Sequence, residues 1–143
     1  MDTQESYDAW VIEMIDRHCP DFFTSVGTAE HNGETFVEAV LDDPRGEKYR
    51  VSLSTYGREL TVECQAFHSH LDQFDEDDHE QEFLNAIAWI RDFRNDEIVI
   101  FTKLEGDRIV SAMAAEPSYR AAPADGERVE VFSFSGALDR TME

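Results

Sequence analysis

Basic residues are what this chain is short of. Twelve Lys and Arg stand against 32 Asp and Glu in 143 residues, a net charge of −20 at pH 7. A field of that sign repels nucleic acid and anionic membrane and attracts cations and basic proteins. With neither a basic stripe nor an RNA-binding aromatic motif, nucleic-acid binding is not expected. Cysteine is scarce as well. Cys19 and Cys64 make no CxxC or other metal-type spacing, so two buried free thiols in a reducing compartment are expected. No apolar run approaches the roughly 18 residues of a membrane span. Residues 1–8 lack the basic-then-apolar pattern of a secretion signal, and a cytoplasmic location is expected. The Gly-x-Ser-x-Gly elbow, the phosphate-cradling glycine loop and the dinucleotide fingerprint are all missing.

Apolar residues are not in short supply. They make up 41% of the chain, sixteen aromatics among them, enough for a packed core despite the charge. The length fits one domain. Tyr7, Trp10, Val11, Met14, Ile15 and His18 follow the spacing of one helical face, with Ser6 placed to cap the start and Cys19-Pro20 to stop it. A loop at 24–33, rich in Thr, Gly and Asn, comes next. The period then changes to two. Strands are expected at 36–41, 49–55 and 60–66, joined by short turns, which makes an antiparallel meander with one wet face.

A second helix is expected over 80–94, with Asp78 and Gln81 in N-cap and N3 positions. Phe83, Ala86, Ile87, Ile90 and Phe93 share its apolar face. Three more strands follow, at 97–103, 108–114 and 127–134. The loop at 116–126 is long, and the tail at 135–143 is expected to be loosely held. The sum is an α+β fold: one mostly antiparallel sheet of about six strands, with the helices on one face.

Chemistry concentrates at 59–82. His68, His70 and Asp72 alternate, so if the third strand runs that far they share a face with Leu60, Val62 and Cys64. Two imidazoles and a carboxylate are a partial ligand set for zinc or another divalent transition metal. The pattern resembles the opening of the metallo-β-lactamase motif. There a second histidine follows the aspartate, whereas here position 73 is Gln, and that fold needs a longer chain. The acidic run Asp72, Asp75, Glu76, Asp77, Asp78, Glu80 and Glu82 lacks EF-hand spacing. Asp78 and Glu80 suit a helix start, which leaves Asp75, Glu76 and Asp77 as an anionic surface. Cys64 with His68 is a nominal thiol–imidazole pair, but Cys64 belongs to the core.

The run Leu60-Thr61-Val62 and Phe67-His68-Ser69-His70-Leu71-Asp72, followed by an acidic loop and the helix around Phe83 and Phe93, resembles small bacterial immunity proteins of toxin systems. The resemblance implies a compact cytosolic α+β domain that neutralises a cognate toxin by binding it, and implies no catalytic residues. The expected partner is then a basic protein, met by Phe67, His68, His70, Asp72, Phe74, Asp75, Glu76 and Asp77. No cofactor is expected on this reading. A metal-binding or metal-dependent hydrolytic domain using His68, His70 and Asp72 is the alternative. Monomer and homodimer are both open.

Overall fold

Helical spacing at the start of the chain gives α1, Gln4–His18, with Tyr7, Val11, Met14 and Ile15 on its buried face. The computed structural model describes residues 2–46, 49–70 and 78–143. The cap of α1 is Thr3 rather than Ser6. The Thr3 hydroxyl accepts from Ser6 N, and the Ser6 hydroxyl, one turn in, accepts from Thr3 N. Ser6 therefore completes a reciprocal capping box three residues later than an N-cap would sit.

The described chain divides into two compact units, 1–88 and 89–143. The first holds α1 and a five-stranded antiparallel sheet in chain order: β1 Ser25–His31, β2 Glu34–Leu41, β3 Val51–Ser54, β4 Thr61–Cys64 and β5 Phe67–His70. One face of this sheet is core. Val37, Ala39, Leu41, Val51, Leu53 and Val62 are all buried and share a side by cross-strand register. Helix α1 packs on β2 and on a 3-10 turn at Tyr56–Arg58. Thr55 ties them together, wholly buried. Its hydroxyl accepts from Val37 N at 2.9 Å and donates to Asp8 Oδ1 at 2.5 Å, while its carbonyl accepts from Gln4 Nε2 at 2.8 Å.

Two of these strands lie where the sequence suggested something else. β1 falls in the expected loop at 24–33. Nearly all of it is exposed on both faces, so no apolar alternation announces it. Asn32 and Gly33, with φ of 53° and 79°, make the tight hairpin that returns the chain into β2, a role for which Asn-Gly is well suited. β5 was expected to continue the preceding strand. Instead Cys64 pairs with Phe67 across a two-residue turn at Gln65-Ala66, and Gln65 takes φ 53°.

A glutamine in the left-handed region carries strain of about 1–2 kcal/mol that glycine avoids. Gln65→Gly should therefore raise stability by about 0.5–1 kcal/mol after the entropy of the freer unfolded chain is subtracted. A urea midpoint that stays put or falls would argue against this turn.

Helix α2, His79–Arg94, contains the boundary between the units. Asp78 Oδ1 accepts from Gln81 N at 2.9 Å, the cap expected from the sequence. Within the first unit, Phe83 is fully buried against Trp10 and His18 of α1.

The second unit holds a four-stranded antiparallel sheet, made of β6 Val99–Glu105, β7 Arg108–Ala115, β8 Glu127–Phe132 and β9 Arg140–Met142, in the order β7-β6-β8-β9. Phe93 covers one side through Phe132 and Phe134. On the other side Val99, Phe101, Val129 and Val131 form a core closed by Ala115, Ala121, Leu138 and Met142. The end of the chain, expected to be loose, is drawn back by Asp139. Its Oδ1 accepts from Ser133 N at 2.6 Å and from Ser133 Oγ at 3.0 Å, and β9 then pairs with β8.

The α+β class thus holds, but the expected single sheet is two antiparallel sheets, and the three-stranded meander is part of a five-stranded one. The difference comes from β1, β5 and β9, which bury too little apolar surface to show a period in sequence.

Candidate outer-face binding site

The turn at Gln65 decides where the histidines point. In an antiparallel pair, directly opposed residues project to the same side. His70 is opposite Thr61 and His68 opposite Glu63. Both imidazoles are thus on the outer face of the sheet, away from Val62 and Cys64, which corrects the shared face expected from simple alternation.

There the two rings meet edge to face, with centroids 5.5 Å apart. His70 Nδ1 is 2.9 Å from Thr61 Oγ1 and 2.9 Å from Glu59 Oε1. Both contacts fall on the same ring nitrogen. A nucleophile–base–acid relay needs one partner on each nitrogen, so Thr61, His70 and Glu59 form a polar cluster rather than a catalytic relay.

Register carries the outer face further. Thr61 is opposite Ser54, and Ser54 is opposite Glu38, so residues far apart in sequence form one row across the strands. With Glu59, Glu63, Phe36 and Tyr56 they border a shallow trough of about 420 Å³. Its aromatic wall is a T-shaped Phe36–Tyr56 pair, 5.3 Å between centroids, with the His31 ring also 5.3 Å from Tyr56 and edge-on to it. Carboxylates beside aromatic faces suit a guanidinium or ammonium group, which gains from both the charge and the ring quadrupole.

Of the residues expected to meet a partner, Phe67 is half-buried and His68 and His70 lie on this face. Asp72, the third member of the possible metal set, lies outside the described residues, as do Phe74, Asp75, Glu76 and Asp77. Among the described residues, no group of three His, Cys, Asp or Glu is arranged to hold a metal ion. No described helix is long and apolar enough to cross a membrane.

No family model, curated protein or solved structure matches the chain. Glu38, Glu59, Glu63, Phe36 and Tyr56 were not singled out in the sequence. The alternation Val37, Ala39, Leu41 could have found Phe36 and Glu38, because burying those three turns Phe36 and Glu38 to the other face.

Cys64 stands apart from this chemistry. It is buried, on the core side, and loss of hydration, with the Asp43 charge nearby, pushes its thiol up to about 12. Such a thiol holds almost no thiolate at neutral pH. Native protein at pH 8 should leave Cys64 unlabelled by Ellman's reagent, whereas protein unfolded in guanidinium should label it fully. Labelling of Cys64 in the native state within minutes would contradict its placement.

Proposed function

We propose that the chain is a non-enzymatic binding protein, of immunity or inhibitor type, that meets a basic protein partner on the outer face of its first sheet. The observation that carries this reading is the trough itself. Four carboxylates (Glu30, Glu38, Glu59 and Glu63) and two imidazoles (His31 and His70) lie against an aromatic wall on an open surface, in a unit holding 21 acidic and 5 basic residues (net −16). Charge of this kind sets association rate and partner choice more than it sets affinity. The resemblance to immunity proteins is consistent with the same role, with a toxin as partner and the cytoplasm as the place of action. The acidic residues Asp72, Asp75, Glu76 and Asp77, with Phe74, follow His70 in the chain and would extend the contact. Phe67, opposite Cys64, projects to the core side and is not part of this face.

Capture from a lysate of the producing cell tests the proposal if wild type is compared with Glu38→Lys/Glu59→Lys/Glu63→Lys. Wild type should retain one basic protein in near-stoichiometric amount, and the variant should lose it while keeping its circular dichroism spectrum. Recovery of the same proteins on both would remove the outer face as the docking surface. Metal analysis of the same samples addresses the alternative built on His68, His70 and Asp72.

A further inference from the structure

The second sheet carries a different kind of concavity. Phe101 is opposite Met113 and Val131, and Lys103 is opposite Ser111 and Val129, so these side chains share one side of the sheet. The loop between β7 and β8 folds over that side. Tyr119 sets its ring edge to face on Phe101, 5.4 Å between centroids, and Ala121 packs against the core. Both ends of the loop are tied down: Arg140 donates to Pro117 O at 3.1 Å, and Glu127 Oε1 accepts from Ala124 N at 2.9 Å. Between loop and sheet lies a pocket of about 290 Å³, floored by Phe101, Met113 and Val129, with Tyr119, Lys103 and Arg120 around it.

Its charge runs against the rest of the molecule. No described residue lining it is acidic, in a chain with 32 acids and 12 bases. Arg17, Arg45, Arg108 and Arg128 all have carboxylate partners. Lys103 and Arg120 form no ion pair or side-chain hydrogen bond among the described residues. Lys103 is half-buried even so. Where acids are this abundant, two uncommitted cations on one apolar pocket are positioned for an anion from outside. Small-molecule sites combine an apolar lining with a few placed polar groups, and their volumes start near 300 Å³.

We infer that this pocket binds a small amphipathic carboxylate, its anionic group held by Lys103 and Arg120 and its aryl or short alkyl body laid on Phe101, Met113 and Val129. This does not depend on the outer-face site, since it uses a different sheet and the opposite ligand charge. The overall field of the protein disfavours any anion, so a preference for a carboxylate over its neutral isostere has to come from these two cations.

The test is titration with 3-phenylpropanoate and with 3-phenylpropanamide, followed by the Met113 methyl resonance in the full-length protein. The carboxylate should give a saturable shift, and the amide should bind about tenfold or more weakly, as expected for loss of a charge-assisted contact. In Lys103→Gln/Arg120→Gln, two changes at partly or fully exposed positions, the two probes should bind alike. Ser111→Trp, which fills the pocket from an exposed position, should abolish the shift for both. Equal binding of acid and amide by wild type would overturn the inference, as would the absence of a saturable shift with the acid at about ten millimolar, a weak-binding limit.

Discussion

Replacing Arg45 with Met is expected to cost about 1–3 kcal/mol at pH 7, the usual result of leaving a buried acceptor without its hydrogen-bond partner. Arg45 itself reaches solvent. Asp43 is buried, its side chain 2% exposed, and Arg45 grips it from three directions. The guanidinium donates through Nε at 3.1 Å and through an Nη at 2.9 Å, and Arg45 N adds a bond of 2.9 Å. The guanidinium also lies 4.5 Å over the Tyr49 ring. Burial alone would push the Asp43 carboxyl up, but the hydrogen bonds and charge of Arg45 outweigh it and hold the carboxyl below its ordinary range.

The pH dependence follows. The contribution of the pair is complete above the unfolded aspartate value of about 4 and fades as pH falls through the lower folded value. In the variant the side-chain hydrogen bonds and charge are gone, and only the backbone N–H of position 45 still opposes burial, the largest influence on Asp43. The carboxyl then takes up a proton more readily. The deficit against wild type should therefore shrink between pH 7 and pH 4 in urea unfolding. Asp43→Asn in the Arg45→Met background should recover part of the loss, because the amide keeps an acceptor for the backbone N–H at position 45 and removes the stranded charge. A deficit that stays constant with pH would show that Arg45 acts through packing rather than charge.

Phe83→Ala should cost more, about 3–5 kcal/mol, because a fully buried aromatic leaves a cavity its surroundings do not fill. Its ring centroid is 6.4 Å from Trp10 and 6.2 Å from His18, which makes it the anchor between α1 and the start of α2. For a chain of this length the change corresponds to a fall in Tm of about 10 °C or more. Leu84 is the control: it is the next residue on the same helix, 37% exposed, and Leu84→Ala should shift Tm far less. Equal shifts for the two would mean that the buried face of α2 is misassigned.

The contrast between those neighbours also shows what was legible in the sequence. Both helices follow from their periodic apolar faces, and the alternation in β2, β3 and β4 follows from one buried side. β1 is exposed on both faces, and β9 is three residues long, so neither carries a pattern strong enough to stand out. The turn at Gln65 contains no Gly, Asn or Pro, and simple alternation through it put His68 and His70 on the core side. The site was half legible for the same reason. Its imidazoles drew attention as a local motif, but their carboxylate and aromatic neighbours come from other strands and meet only once the register is known.

The proposed role stands most directly on one measurement: the association rate of the captured basic partner as a function of ionic strength. Steered encounter predicts a wild-type rate that falls steeply with salt, and a Glu38→Lys/Glu59→Lys/Glu63→Lys rate about ten- to a hundredfold lower at low salt with a flattened dependence. A wild-type rate indifferent to salt and matched by the variant would contradict it.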